Sequence, residues 1–213
     1  MVVLQSEALT LRTYPYAEAH QVAVFLSRDF GKLRAMAYGA RSRRRAFGSG
    51  LEPLTHVRIS VARKEHQELG VLKSCEIVRA FPAYELSWEV NLHFGYFAEL
   101  LLEFSNEEEA SERLFRLVLA VLGQIHDKPI LLLARYFEFW LLRLEGVLPA
   151  LEERLPPDLA ARATGFLQAA PSQLTEDVFT VEELQRLEGL AEELIEFQLE
   201  RRLKTRKMLK ELL

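Results

Sequence analysis

From Glu7 to Arg79 the apolar residues recur at every second position: Leu9 and Leu11, then Val22, Val24 and Leu26, then Leu33, Ala35 and Ala37, then Val57, Ile59 and Val61, then Leu69 and Val71 onward through Ile77. A period of two belongs to strands that bury one face. Tyr14-Pro15-Tyr16, Asp29-Phe30-Gly31 and the stretch from Gly39 to Gly50 read as turns between them. The pattern predicts five short strands closed into a small barrel of the oligonucleotide-binding type (OB-fold). A sandwich generally needs about seven strands.

After Phe81-Pro82 the period becomes helical. Leu86, Val90, Phe94, Phe97, Leu101 and Phe104 form one stripe, and Leu114, Leu117, Val118, Val121 and Leu122 a second. Asn106 and Glu109 have capping-box spacing between the two helices, with Glu107, Glu108, Glu109 and Glu112 in the first turns, where negative charge suits the helix dipole. A third helix from about Ile130 to Glu145 is apolar nearly all round, as for the central helix of a bundle, and Gly146 ends it. Four prolines mark Val147 to Thr180 as a linker with one short helix. Thr180, with Glu183 three residues on, then caps a long helix whose Leu184, Leu187, Leu190, Leu194, Phe197 and Leu203 face the bundle. The expected fold class is α+β: a barrel over residues 1–81, then an all-α bundle over 82–213 with a linker at about 147–180.

With 49% hydrophobic and 27% charged residues among 213, the chain has the balance of a globular protein. Apolar runs such as Pro129 to Ala134 are too short for a membrane span. Glu7 and Arg12 do not suit a signal peptide, so a cytoplasmic location is expected. A single cysteine, Cys75, excludes an internal disulfide and a four-ligand structural zinc site.

The net charge of −4 hides a segregation. Residues 1–81 carry 13 Lys and Arg against 7 Asp and Glu, residues 82–200 carry 8 against 23, and residues 201–213 carry 6 against 1. A basic front and a basic end around an acidic middle suit a protein that meets a polyanion. Arg41, Arg43, Arg44 and Arg45 lie among the flexible glycines of the 39–50 loop, which cannot be packed inside without a large desolvation cost. In the preceding strand Lys32, Arg34, Met36 and Tyr38 alternate onto one face opposite Leu33, Ala35 and Ala37, forming a phosphate-tracking groove with an aromatic base platform. Arg58 and Lys64 widen it, and Lys204, Arg206 and Lys207, in the last turns of the long helix, extend it if that helix packs nearby. The alternatives are a solvated basic hairpin and a tail that only complements the helix dipole. Arg135, beside Tyr136, could grip the carboxylate of a peptide, or sit in an internal ion pair. No nucleophile elbow, metal-binding histidine spacing or phosphate-cradling lysine occurs, and Cys75 reads as a small buried hydrophobe, so no enzyme, cofactor or metal is expected.

Several segments, in order, resemble the RecO family of bacterial recombinational repair proteins: Tyr14-Pro15-Tyr16-Ala17-Glu18, Ser27-Arg28-Asp29-Phe30-Gly31-Lys32, Tyr38-Gly39-Ala40-Arg41, Leu51-Glu52-Pro53-Leu54, Phe137-Glu138-Phe139 through Leu144-Glu145-Gly146, and Leu203-Lys204-Thr205-Arg206-Lys207-Met208-Leu209. The resemblance implies a barrel and a helical domain that bind single- and double-stranded DNA, anneal complementary strands and, with RecR, help load RecA onto DNA coated with single-strand-binding protein (SSB). It implies action in the cytoplasm at the nucleoid and docking of the acidic, hydrophobic SSB C-terminal tail on the helical domain. By position, Lys32, Arg34, Arg41, Arg43, Arg44 and Arg45 match the family's DNA-binding strand and loop, and Arg135 lies where a tail contact is plausible. Many members carry a four-cysteine zinc module after the third helix. Here Val147 to Gln173 has no cysteine, so the linker is zinc-free. Rival readings are a protein adaptor with little DNA affinity, which would anneal nothing alone, and an RNA-binding factor, which would prefer RNA.

Overall fold

A computed structural model describes residues 1–213 except 43–46, 65–66, 83–84, 108 and 213. Among the described residues are five strands, β1 (Val2–Tyr16), β2 (His20–Ser27), β3 (Gly31–Ala37), β4 (His56–Arg63) and β5 (Leu69–Arg79). Six α-helices follow: α1 (Trp88–Phe104), α2 (Glu112–Leu122), α3 (Ile130–Leu144), α4 (Pro157–Gln168), α5 (Val181–Leu199) and α6 (Lys204–Leu212). They form two compact units, Met1–Glu112 and Arg113–Leu213, so that α1 belongs with the strands.

The strands close into a barrel in the order β1-β2-β3-β5-β4, with β3 and β5 parallel and the other pairs antiparallel. Closure leaves no free sheet edge. The interior is filled by Ala8, Ala23, Phe25, Leu33, Ala35, Ala37, Val57, Ile59, Val61 and Leu72. Small alanines on the inner side of β2 and β3 leave room for the Phe25 ring, whose complete burial contributes about 1.5–3 kcal/mol.

The long β1 serves both halves of the barrel, pairing with β4 from Val2 to Leu9 and with β2 from Ala8 to Tyr16. Its register shifts between Thr10 and Arg12, so Leu11 is the extra residue of a bulge. Leu9 and Leu11, the stripe expected from the sequence, therefore do not share one regular face. The bulge is held by a loop: Thr10 donates its hydroxyl to the Gly50 carbonyl at 2.7 Å and its carbonyl accepts from Leu54 N–H at 2.7 Å.

Of the acidic residues expected in the first turns of a helix, Glu112 opens α2, whereas Glu107 and Glu109 lie before it. Glu107 bridges to Gly31 and Lys32 of β3, and α2 starts only at Glu112. Asn106 still reaches the Glu109 carboxylate at 2.9 Å, but as a loop contact. Gly31, at φ 66, lets the Asn106 and Glu109 carbonyls approach where a Cβ would stand.

In the second unit α3 is buried over Leu132 to Phe139 and forms the core, as its apolar circumference predicts. Thr180 and Glu183 make the expected capping box on α5. The expected continuous basic helix is in fact broken: Glu200 takes the left-handed conformation at φ 54, and α6 starts at Lys204. α5 buries Leu187, Leu190, Ala191 and Ile195, leaving Phe197 83% exposed rather than packed in the bundle.

Candidate nucleic-acid interface

Beyond its bulge, β1 turns its even-numbered residues outward, alongside the even-numbered residues of β2 and β3. Three rows result. The first is Arg12, Val24 and Arg34, the second Tyr14, Val22 and Met36. The third pairs Tyr16 with His20, whose ring meets Tyr38 edge-on at 5.0 Å between centroids and 77° between planes. Tyr14, Tyr16 and Tyr38 remain 45%, 53% and 53% exposed. The Arg12 guanidinium lies over the Tyr14 ring, 5.3 Å from its centroid.

This face is tied at its open end. The Gly39 N–H donates to His20 Nδ1 at 3.0 Å, the Arg41 N–H to the Ala19 carbonyl at 3.0 Å, and the Arg41 guanidinium to the Ala17 carbonyl at 3.4 Å. Gly39 at φ 73 makes the turn that brings the loop back to the β1–β2 hairpin. Beside it Thr13, Gln21, Ala40, Arg41 and Glu52 line a shallow polar hollow of 320 Å³.

The residues expected from the sequence divide into three sets. Tyr38, Arg41, Arg58 and Lys64 are exposed on the barrel unit, though Arg58 stands on another strand, 3.7 Å from Glu7. Lys32 and Arg34 are engaged locally: Lys32 donates to the Leu102 carbonyl of α1 at 3.0 Å, and Arg34 lies 2.9 Å from Glu107. Burial, countered in part by Glu107, lowers the Lys32 pKa from its ordinary value. Met36, expected on the open face, is buried between Val22 and Val71 of the flanking strands. Arg43, Arg44 and Arg45 lie outside the described residues.

The third set lies in the helical unit. Lys204 and Lys207 are exposed on α6, Lys207 lying 3.7 Å from Glu211. Arg206 is only 5% exposed and pairs with Glu188 and Glu192 of α5. Arg135 is 2% exposed, contacts Glu138 at 2.7 Å and lies 3.4 Å from Glu188. It therefore forms the internal pair that was the alternative to peptide capture. Arg12, Tyr14, Tyr16 and His20 were missed as site residues. Their alternation was visible in the sequence, but Pro15 suggested a turn where the chain continues as strand.

A second surface of interest lies wholly in the helical unit. Arg113 and Arg116 of α2, Tyr136, Trp140 and Arg143 of α3, and Pro171 line a groove of 650 Å³ with Leu117 and Leu144. The Arg143 guanidinium covers the Trp140 ring at 4.9 Å, and the Tyr136 hydroxyl donates to the Ala169 carbonyl at 2.9 Å. Burial raises the Tyr136 pKa, so the groove presents a neutral phenol and an indole together with three arginines. Among the described residues no group of His, Cys, Asp and Glu could hold a metal ion, and no helix is long and apolar enough to cross a membrane. Burial pushes the Cys75 thiol up to about 11, away from the thiolate a nucleophile needs.

The five-stranded closed barrel, its cation and tyrosine face, and the following helices define an α+β protein of the OB-barrel class. The family descriptions Recombination protein O N terminal and Recombination protein O C terminal match residues 1–81 and 86–155. The chain is 40% identical over 147 residues to the DNA repair protein RecO of Koribacter versatilis (strain Ellin345), covering 69% of this chain and 60% of that one. It is 34% identical over 149 residues to the DNA repair protein RecO of Syntrophus aciditrophicus (strain SB), covering 70% and 58%. To that of Anaeromyxobacter sp. (strain Fw109-5) it is 31% identical over 171 residues, covering 80% and 67%. This chain belongs to the RecO family. The matched stretch spans less than two thirds of the length of the first two relatives.

Proposed function

We propose that this protein works in DNA repair as a non-catalytic mediator that binds single- and double-stranded DNA, anneals complementary strands and, with RecR, assists RecA loading onto SSB-coated DNA, acting at the nucleoid. The observation that carries the reading is the outward face of β1 to β3, where Arg12, Tyr14, Tyr16, Tyr38 and Arg41 stand exposed together. Guanidinium groups neutralise phosphates, and two strands held on one cationic surface repel each other less, so pairing can nucleate. No covalent step is required. Arg43, Arg44 and Arg45, following Arg41 in the chain, add charge to the same loop.

A protein-docking role alongside this is favoured by the α2–α3 groove. Arg113, Arg116 and Arg143 suit an acidic segment with a terminal carboxylate, and Trp140, Leu117 and Leu144 suit an apolar end group. The SSB tail has that chemistry, and the groove replaces Arg135 as its proposed site. Annealing of complementary oligonucleotides by the purified protein alone tests the main reading. Faster pairing than in buffer supports it, and an unchanged rate leaves a pure adaptor.

A further inference from the structure

The geometry points to the Tyr14, Tyr16 and Tyr38 rings as a base-stacking platform that engages unpaired nucleotides, giving this barrel a base-dependent mode of binding that a duplex cannot use. The inference rests on the DNA-binding reading and deepens it, since phosphate contacts alone would hold either form.

Three observations converge. The first is exposure: three large aromatic rings leave about half their surface in water on one barrel face, although an inward turn would bury each of them. A bulge costs regular pairing, and this one has a definite effect. Arg12 pairs with Val24 on the outer side, whereas a regular strand running on from Thr10 would carry Arg12, Tyr14 and Tyr16 into the barrel.

The second observation is that two of the rings, Tyr14 and Tyr38, are held in place rather than loosely displayed. His20 accepts the Gly39 N–H through Nδ1 and meets the Tyr38 ring edge-on, so the hairpin side chain braces the third tyrosine. Arg12 lies over Tyr14. Side chains fixed before binding lose less entropy when a base arrives.

The third is spacing and chemistry. Tyr14 and Tyr16 are two residues apart on one strand, about 6.8 Å along it, or twice the 3.4 Å base rise of a duplex strand. A base on one ring therefore does not collide with a base on the next. Interior bases of a duplex already cover each other's faces, so only single strands can offer them. Arg12 and Arg41 flank the rings and suit the sugar-phosphate chain that joins successive bases.

The test compares three ligands bound by the full chain at one salt concentration, read by fluorescence anisotropy: a thymidine oligonucleotide, an abasic oligonucleotide of the same length, and a duplex of that length. The thymidine strand is expected to bind about tenfold more tightly than the abasic strand. Tyr14→Leu with Tyr38→Leu should erase that ratio, while Tyr14→Phe with Tyr38→Phe keeps it; a leucine variant that retains the ratio overturns the platform. Equal binding of thymidine and abasic strands by the unaltered protein overturns the platform but leaves the phosphate reading standing. Absence of binding to all three overturns both.

Discussion

Arg135 and Glu138 face each other across one turn of α3, with Nε and a terminal nitrogen each 2.7 Å from a carboxylate oxygen, in a site almost closed to water. Glu188 adds a second carboxylate to Arg135 and also holds Arg206 of α6. The cluster joins three helices of the unit through charges withdrawn from solvent. Arg135→Ala should therefore cost about 3–5 kcal/mol, because it leaves Glu138 buried and uncompensated. Urea denaturation followed by circular dichroism reads this directly. Arg135→Met with Glu138→Leu should recover most of the loss, since a packed apolar pair needs no desolvated charge.

If the barrel neutralises about five phosphates, log affinity for duplex should fall with log salt at a slope of about −4.5. Replacing Arg43, Arg44 and Arg45 together by alanine should flatten that slope by about two to three units. Replacing Arg206 should leave it unchanged, because that guanidinium is spent on Glu188 and Glu192. Gel-shift titrations over a salt series check both, and an equal change in the two variants would contradict the division of roles.

In the helical unit, Arg116→Glu and Trp140→Ala should each weaken binding of an SSB tail peptide at least tenfold, or about 1.4 kcal/mol, through charge reversal and loss of the aromatic floor. Both variants should bind DNA as the unaltered protein does. Titration calorimetry with the peptide, followed by the duplex gel shift, separates the two surfaces.

His56 lies at the start of β4, 3.4 Å from the Glu7 carboxylate, and Arg58 lies 3.7 Å from the same side chain. Burial is the larger influence on the ring and outweighs Glu7, so the folded pKa is lowered from 6.5. The unfolded chain then takes up the proton more readily than the folded one. Stability is full above pH 6.5 and declines as pH falls from there through the folded pKa. His56→Gln should flatten this part of the profile, which thermal melts between pH 5 and 7 would show.

Much of the architecture was legible from residue order. The period of two gave five strands and the period of 3.6 gave the helices, because a side chain repeats its exposure with the backbone geometry of its element. Cap chemistry placed the start of α5 at Thr180. What misled was local continuity. A helical reading from Thr180 to the basic end misses the left-handed Glu200, which no propensity marks, and Asn106 with Glu109 imitates a cap that the bridge from Glu107 to β3 displaces.

By itself, the sequence determined the fold class, the charge segregation and the location of the first arginine cluster, since each follows from side-chain type and near-neighbour spacing. Only the tertiary structure decided which cations remain available. Arg135 and Arg206 look like any others in the chain, yet packing gives their charges to Glu138, Glu188 and Glu192. It likewise decided that Arg12, Tyr14 and Tyr16 point outward, because one bulge residue inverts every later side chain of the strand and is visible only in the pairing with its neighbour.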